Sequence, residues 1–362
     1  MDDKRTKSVG IKEIAAALNI SIGTVDRALH ARPGVNPKTR AQVLKMAEKL
    51  NYRPNIAARN LKLNHRLRIA VYIPQQIASF FAQLRAGVSA GAVSAHGLNV
   101  ELEFREFRSL KDGDEDLLQI DPQRKYNGVI IAPADPARVD PVVRRLTRQG
   151  TAVVCVASDA PRSERLAGVT IDATVSGGIA AELLGKTLTE KGTVAIITGQ
   201  LGTQDHAEKL RGFAATLATF APHLSLSPAI ETHERPEEAY RTTLALLDRK
   251  PYPRGIYIST ANSLPVLRAL QERKLLGRIE VITTDLFPEL VPFLESGAVL
   301  ATLYQRPFTQ GKTAIETLLQ YLMDGIKPEP VTRLAPHIVL RSNLPLFVDR
   351  LASDVEKDAD ER

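Results

Sequence analysis

From Leu67 onward the chain alternates between two hydrophobic periods, and this alternation narrows the available folds more than any other feature. Short apolar runs fall at 68–73, 128–132, 152–157, 193–198, 255–259, 280–284 and 298–303. Amphipathic stretches separate them, among them 139–148, 179–188, 207–218 and 313–322. Short runs apolar on both faces are typical of parallel strands covered by helices on both sides. The pattern therefore predicts an α/β core of doubly wound parallel sheets. The span 67–347 is long enough for two such lobes, with a ligand crevice at the C-terminal ends of the strands.

Charge marks off a different region ahead of this core. Residues 1–66 hold fourteen Lys/Arg and five Asp/Glu, a balance of +9. The remainder holds 34 Lys/Arg and 36 Asp/Glu, a balance of −2. A compact basic module on a nearly neutral body is an electrostatic footprint for nucleic acid. Its apolar spacing is helical. Ile11, Ile14, Ala15 and Leu18 share a face, Asn19 is a turn residue, and Ser21 suits the N-cap of a helix from Ile22 to about Leu29. Val25 and Leu29 face inward there, and Ala28 is small enough for a neighbouring helix to approach. Pro37 opens a third helix over 38–50, with Val43, Leu44, Ala47 and Leu50 as its stripe. Two short helices joined by a tight turn make a helix-turn-helix, so the first module is an all-α headpiece.

Three runs carry a resemblance. They are Ile20-Ser21-Ile22-Gly23-Thr24-Val25-Asp26-Arg27-Ala28-Leu29-His30, Val35-Asn36-Pro37-Lys38-Thr39-Arg40 and Leu50-Asn51-Tyr52-Arg53-Pro54-Asn55. In residue type and spacing this stretch resembles the LacI/GalR repressor family. The resemblance implies that the second helix lies in the DNA major groove. Ile22, Gly23 and Arg27 then stand where bases are read, and Arg27 can donate a bidentate pair to guanine. Gly23 has no side chain to read with. Asp26 replaces a usual Ser, and beside phosphates its carboxylate needs a cytosine amino group or Arg27 as partner. Ser21 and His30 bound the reading helix. Thr24, Asn36, Thr39 and Arg40 are phosphate-contact candidates, which position without reading sequence.

The same resemblance makes 55–66 a hinge, after a headpiece at 1–54. Asn55 caps a short helix containing Ala58, too short to be stable alone. Leu61 matches the apolar wedge that enters the minor groove at a central base step. The core, 67–347, is then expected to have the periplasmic-binding-protein type I fold. A charged tail, 348–362, follows. The implied assembly is a homodimer on a palindromic operator, gated by a small sugar effector.

Sugar sites combine carboxylates and amides for hydroxyls with an aromatic face for the C–H surface of the ring. Phe80 and Phe81 match the family's aromatic pair, and Asp285 and Gln305 match its pocket positions. Asp159, Asp172 and Asn262 are candidates because each follows a strand, although Asp at such a junction also serves as a helix N-cap. His206 lies near a position where relatives often place arginine.

Other functions fit less well. Gly87-Val88-Ser89-Ala90-Gly91 has the form of a nucleophile elbow, but a helical pattern rather than a strand precedes it. Asp112–Asp116 lacks the spacing of a calcium loop and reads as an acidic helix start. The one cysteine, Cys155, lies in an apolar run with no activating neighbour. We therefore expect no catalytic residues, no metal and no cofactor. One cysteine also allows no internal disulfide, which suits a reducing cytoplasm. The chain has no apolar run of membrane-spanning length and no recognisable secretory leader, so a cytoplasmic protein, nucleoid-associated when on DNA, is expected. A solute-binding protein serving transport is the alternative. It would carry a leader and no basic headpiece.

Overall fold

Ser21 and Asn36 set the geometry of the amino-terminal unit. The structure, a computed structural model, describes residues 11–29, 34–50, 66–95, 99–121 and 126–348. Helix α1 (Ile11–Leu18) ends at Asn19, whose φ of 51° turns the chain, and the Ile20 amide donates to Ala15 O at 3.1 Å. Ser21 Oγ then accepts from the Thr24 amide at 3.1 Å and starts α2 (Ile22–Leu29). Asn36 Oδ1 accepts from the Lys38 amide at 2.8 Å and starts α3 (Pro37–Lys49). Ile14, Ala15, Val25, Ala28, Val43 and Ala47 form a small core, with Leu18, Leu29 and Leu50 packed against it. Leu44, expected in the stripe of α3, is instead 47% exposed. The hinge, the tail beyond Val348 and His30 lie outside the described residues.

The described residues before Arg66 form one compact unit, and nearly all those from Arg66 onward form another. The second unit has two lobes. In lobe 1, β1 (Arg66–Tyr72) leads to α4 (Ala78–Ser94), β2 (Asn99–Phe104), α5 (Leu110–Leu118), β3 (Gly128–Ile131), α6 (Pro136–Arg148), β4 (Ala152–Val156) and β5 (Ala167–Ile171). The chain then enters lobe 2 through α7 (Ala173–Thr187), β6 (Gly192–Thr198), α8 (Gln204–Phe220), β7 (Leu224–Leu226), β8 (Ile230–Glu231), α9 (Pro236–Leu247), β9 (Gly255–Ile258), α10 (Leu264–Glu272), β10 (Glu280–Thr284), α11 (Val291–Glu295) and β11 (Ala301–Tyr304). It returns to lobe 1 as α12 (Pro307–Asp324) and β12 (Val331–Leu334), and ends in lobe 2 with β13 (His337–Val339).

The sheet orders are β12-β5-β4-β3-β1-β2 and β13-β11-β10-β9-β6-β7, with β8 also paired to β6. The central pairings are parallel, and β13 runs antiparallel to its partner β11. Strands β3, β4 and β9 are buried along their whole length. Three segments therefore pass between the lobes, after Ile171, after Tyr304 and after Leu334. This is the two-lobed α/β core expected from the alternation. Sequence periodicity did not mark β2, β7, β12 and β13, which are edge or half-exposed strands without continuous apolar runs.

Each lobe also contains one very close helix crossing. A Cβ on Gly87 would lie 2.1 Å from Phe308 O, and one on Gly311 would lie 2.0 Å from Leu84 O, so α4 and α12 touch backbone to backbone. In lobe 2 the same is true of Gly177 against Lys209 O and Gly212 against Thr174 O, both at 2.0 Å. The glycines of the apparent nucleophile elbow are thus packing residues on one helix face.

Candidate effector cleft and nucleic-acid headpiece

In the headpiece, burial of Val25 and Ala28 turns the opposite face of α2 outward. Ser21, Ile22, Gly23 and Arg27 are exposed, and Thr24 and Asp26 are half-exposed. Ile22 is 50% exposed. Nothing but Ser21 Oγ, at 3.9 Å, would meet a Cβ on Gly23. Thr24 Oγ1 sits 2.8 Å from Ser21 Oγ, so the two hydroxyls form one exposed pair at the helix start. Asn36 caps α3, and Thr39 and Arg40 lie in its first turn. Asn55, Ala58 and Leu61 lie outside the described residues.

The cleft of the core unit opens between the lobes, lined by residues of both, where small-molecule sites commonly form. Lys209, on α8, is its electrostatic centre. The ammonium is 1% exposed and donates to Asp205 Oδ2 at 2.8 Å, Gln305 Oε1 at 2.8 Å and Ser259 O at 3.2 Å. Three acceptors satisfy its three protons. Burial alone would lower its pKa, but Asp205 and its other acidic neighbours outweigh that and raise it. Behind Gln305 lies Asp285, whose Oδ2 accepts from Gln305 Nε2 at 2.6 Å and Oδ1 from the Gln305 amide at 3.0 Å. Burial pushes the Asp285 carboxyl up to about 6, against the opposing hydrogen bonds from Gln305.

A second group adjoins the first. His206 Nε2 lies 3.4 Å from Glu234 Oε1, and Glu234 Oε2 accepts from Thr260 Oγ1 at 2.6 Å. Gly199 makes room for this pair, because a Cβ there would lie 1.9 Å from Glu234 Oε1. Several buried polar atoms on the walls have no hydrogen-bond partner: Asp205 Oδ1, Thr203 Oγ1 and Ser158 Oγ. Backbone strain gathers here too. Ile77, Ala157, Glu234, Asp285 and Arg306 all have positive φ without being glycine. Such residues cost on the order of 1–3 kcal/mol each and concentrate at functional sites.

Four of the eight expected effector residues, Phe80, Phe81, His206 and Gln305, line the cleft. Phe80 and Phe81 meet edge to face with centroids 5.0 Å apart. Asp285 stands one layer behind. Asn262 follows the wall residues Thr260 and Ala261, and its side-chain nitrogen is buried without a partner. Asp159 lines an adjoining recess, where both its oxygens accept from Arg165. Asp172 caps α7, accepting from the Val175 amide at 3.0 Å. Asp205, Lys209, Glu234 and Thr260 were missed. Lys209 did leave a signal, since it shares a helix face with the buried Phe213 and Leu217 and so interrupts an apolar stripe.

Two family matches divide the chain in the same way. Residues 10–55 match bacterial regulatory proteins of the lacI family, and residues 69–327 match a periplasmic binding protein domain. The chain belongs to the lacI family. This lacI-family chain is a DNA-binding transcription regulator, and the enzyme readings fall with that assignment. It is 25% identical to catabolite control protein A of Priestia megaterium over 345 residues, covering 93% of this chain and 99% of that protein. It is 25% identical to the transcriptional repressor PurR of Aliivibrio fischeri over 348 residues, covering 92% and 98%. Among solved structures, a glucose-galactose binding protein of Geobacillus stearothermophilus superposes with a TM-score of 0.71 at 23% identity, over 78% of this chain and 99% of that one. A myo-inositol binding protein of Caulobacter gives 0.71 at 22%, over 80% and 97%. These structures share the fold of the core. Cys155 is inert packing, its thiol pushed up by burial. Among the described residues no helix is long and apolar enough to cross a membrane, and no cluster of metal-ligating side chains occurs.

Proposed function

We propose that this regulator is a repressor that binds a palindromic operator as a homodimer and is gated by a sugar or sugar-like polyol held between its lobes. The observation that carries the gating is the Lys209 network. Asp205, Lys209, Gln305 and Asp285 form a continuous hydrogen-bonded chain from the cleft wall to the segment where the chain passes from β11 to α12. A ligand on Asp205 therefore acts on the residue that joins the lobes. Tyr304 Oη also donates to Gln83 Oε1 of α4 at 3.0 Å, across the lobes. A polyol that favours one lobe arrangement shifts operator affinity by its difference in affinity for the two arrangements.

The likeness to a glucose-galactose binding protein and a myo-inositol binding protein supports a polyol. On the DNA side we assign base contacts to Ile22, Gly23, Asp26 and Arg27, and phosphate contacts to Ser21, Thr24, Asn36, Thr39 and Arg40. His30, Asn55, Ala58 and Leu61 complete the proposed interface from outside the described residues. Selection from a random DNA library with full-length protein tests this reading. The expected result is an enriched palindrome, bound with an affinity that falls steeply with salt and shifts when polyols are added. Binding without sequence enrichment would reject the operator reading. Unchanged operator affinity across the polyols would reject the gating.

A further inference from the structure

The two walls of the cleft differ in kind. Lobe 2 presents Asp205, His206, Lys209, Glu234 and Thr260, with Gln305 beside them. Lobe 1 presents Ile77, Phe80, Phe81, Leu110 and Ala132, and among the described residues lining that side Ser158 is the one polar side chain, with Asp159, Thr170 and Arg333 in the adjoining recess. The apolar wall is continuous with the lobe 1 core, because Phe80 and Phe81 pack with Ile73, Leu84 and Ala132.

A polyol hydroxylated all round would turn several hydroxyls toward lobe 1. Apart from Ser158 they would meet hydrocarbon and lose water without replacement. An unsatisfied buried hydroxyl costs more than a hydrogen bond gains, whereas a C–H or methyl group on the same wall gains by burial. The lobe 2 wall has the opposite need. Asp205 Oδ1 and Thr203 Oγ1 are buried without partners, so a bare apolar surface there would leave them orphaned.

Resting on the effector reading above, we infer that the ligand is an amphipathic polyol: a sugar or cyclitol with a hydroxyl-bearing edge for lobe 2 and a deoxygenated or O-alkylated face for lobe 1. Phe80, Phe81 and Leu110 select that face. Asp205 and Glu234 accept from the other edge.

Calorimetric titration of the full-length protein with matched pairs tests the inference. The pairs are D-glucose with 6-deoxy-D-glucose, D-galactose with D-fucose, and myo-inositol with its mono-O-methyl ethers. In the best-binding pair the deoxy or methyl member binds about 10- to 100-fold more tightly, the range one such group commands in an apolar pocket. Leu110→Gln, at a half-buried helix start, brings that ratio toward one. Glu234→Gln weakens both members and leaves the ratio intact. Parent polyols binding as well as or better than their modified partners would overturn the inference and leave the effector reading standing. No binding by any member at millimolar concentration would overturn both.

Discussion

Lys209 shows how one side chain can organise a site and still escape notice in the sequence. It stands four residues after Asp205, an ordinary spacing for a surface ion pair on a helix. Only its place on the buried stripe of α8 marks it as unusual. Its removal has a definite consequence. Lys209→Met takes the ammonium away from the half-buried Asp205 and the buried Asp285, and breaking a buried pair in this way costs about 3–5 kcal/mol. Chemical denaturation at pH 7 measures that loss. Adding Asp285→Asn to Lys209→Met restores part of it, because one of the stranded charges is gone, so the two substitutions are not additive. On the DNA side, Arg27→Ala is expected to cost about 1–3 kcal/mol of operator affinity and to relax selectivity at one base pair. Competition with operators changed one base at a time reads both effects.

At the scale of elements, much of the architecture was legible and its tightest contacts were not. The seven apolar runs all fell on strands because buried parallel strands are apolar on both faces. Helix α2 followed from Ser21 and from the spacing of Val25, Ala28 and Leu29. By contrast, nothing local marks Gly87, Gly177, Gly212 and Gly311 as points of helix contact, and Gly87 with Gly91 imitated a catalytic motif. Their purpose depends on a backbone from a distant part of the sequence, which no local pattern encodes. The cleft was half legible for the same reason. Phe80 and Gln305 sit beside recognisable strands, whereas Glu234 follows the two-residue β8, too short to show a period. Glycine substitutions separate the two uses of the residue. Gly311→Ala drives a Cβ into Leu84 O and is expected to cost about 4 kcal/mol or more, or to abolish folding. Gly297→Ala meets nothing within 4 Å, and its φ of 74° costs only about 1–2 kcal/mol. Thermal unfolding of the pair checks the contrast.

At the scale of the whole molecule, among the described residues each lobe carries a buried carboxyl whose proton affinity is raised by folding. In lobe 2 it is Asp285. In lobe 1 it is Asp114, which accepts from the Ala134 and Asp135 amides where β3 leads to α6. Burial pushes Asp114 up to about 6 despite those bonds. The folded state then binds more protons than the unfolded state between about pH 4 and pH 6. Stability linked to these two groups therefore falls as pH rises through that window and is flat above it, the reverse of a salt-bridged carboxylate. Each shift of about two pKa units corresponds to roughly 3 kcal/mol at most. Exposed pairs such as Glu164 with Arg148 slope the other way, because Glu164 is held below its ordinary range by that hydrogen bond. The total curve consequently mixes both signs, and the separation has to come from differences. Denaturation of wild type, Asp114→Asn and Asp285→Asn between pH 3.5 and 7.5 isolates each group. The stability of wild type relative to either variant should decline across pH 4 to 6, whatever the absolute cost of losing carboxylate hydrogen bonds. A difference that rises with pH would mean that the amides and Lys209 hold these carboxyls ionised, and that the interior around them is more polar than its burial implies.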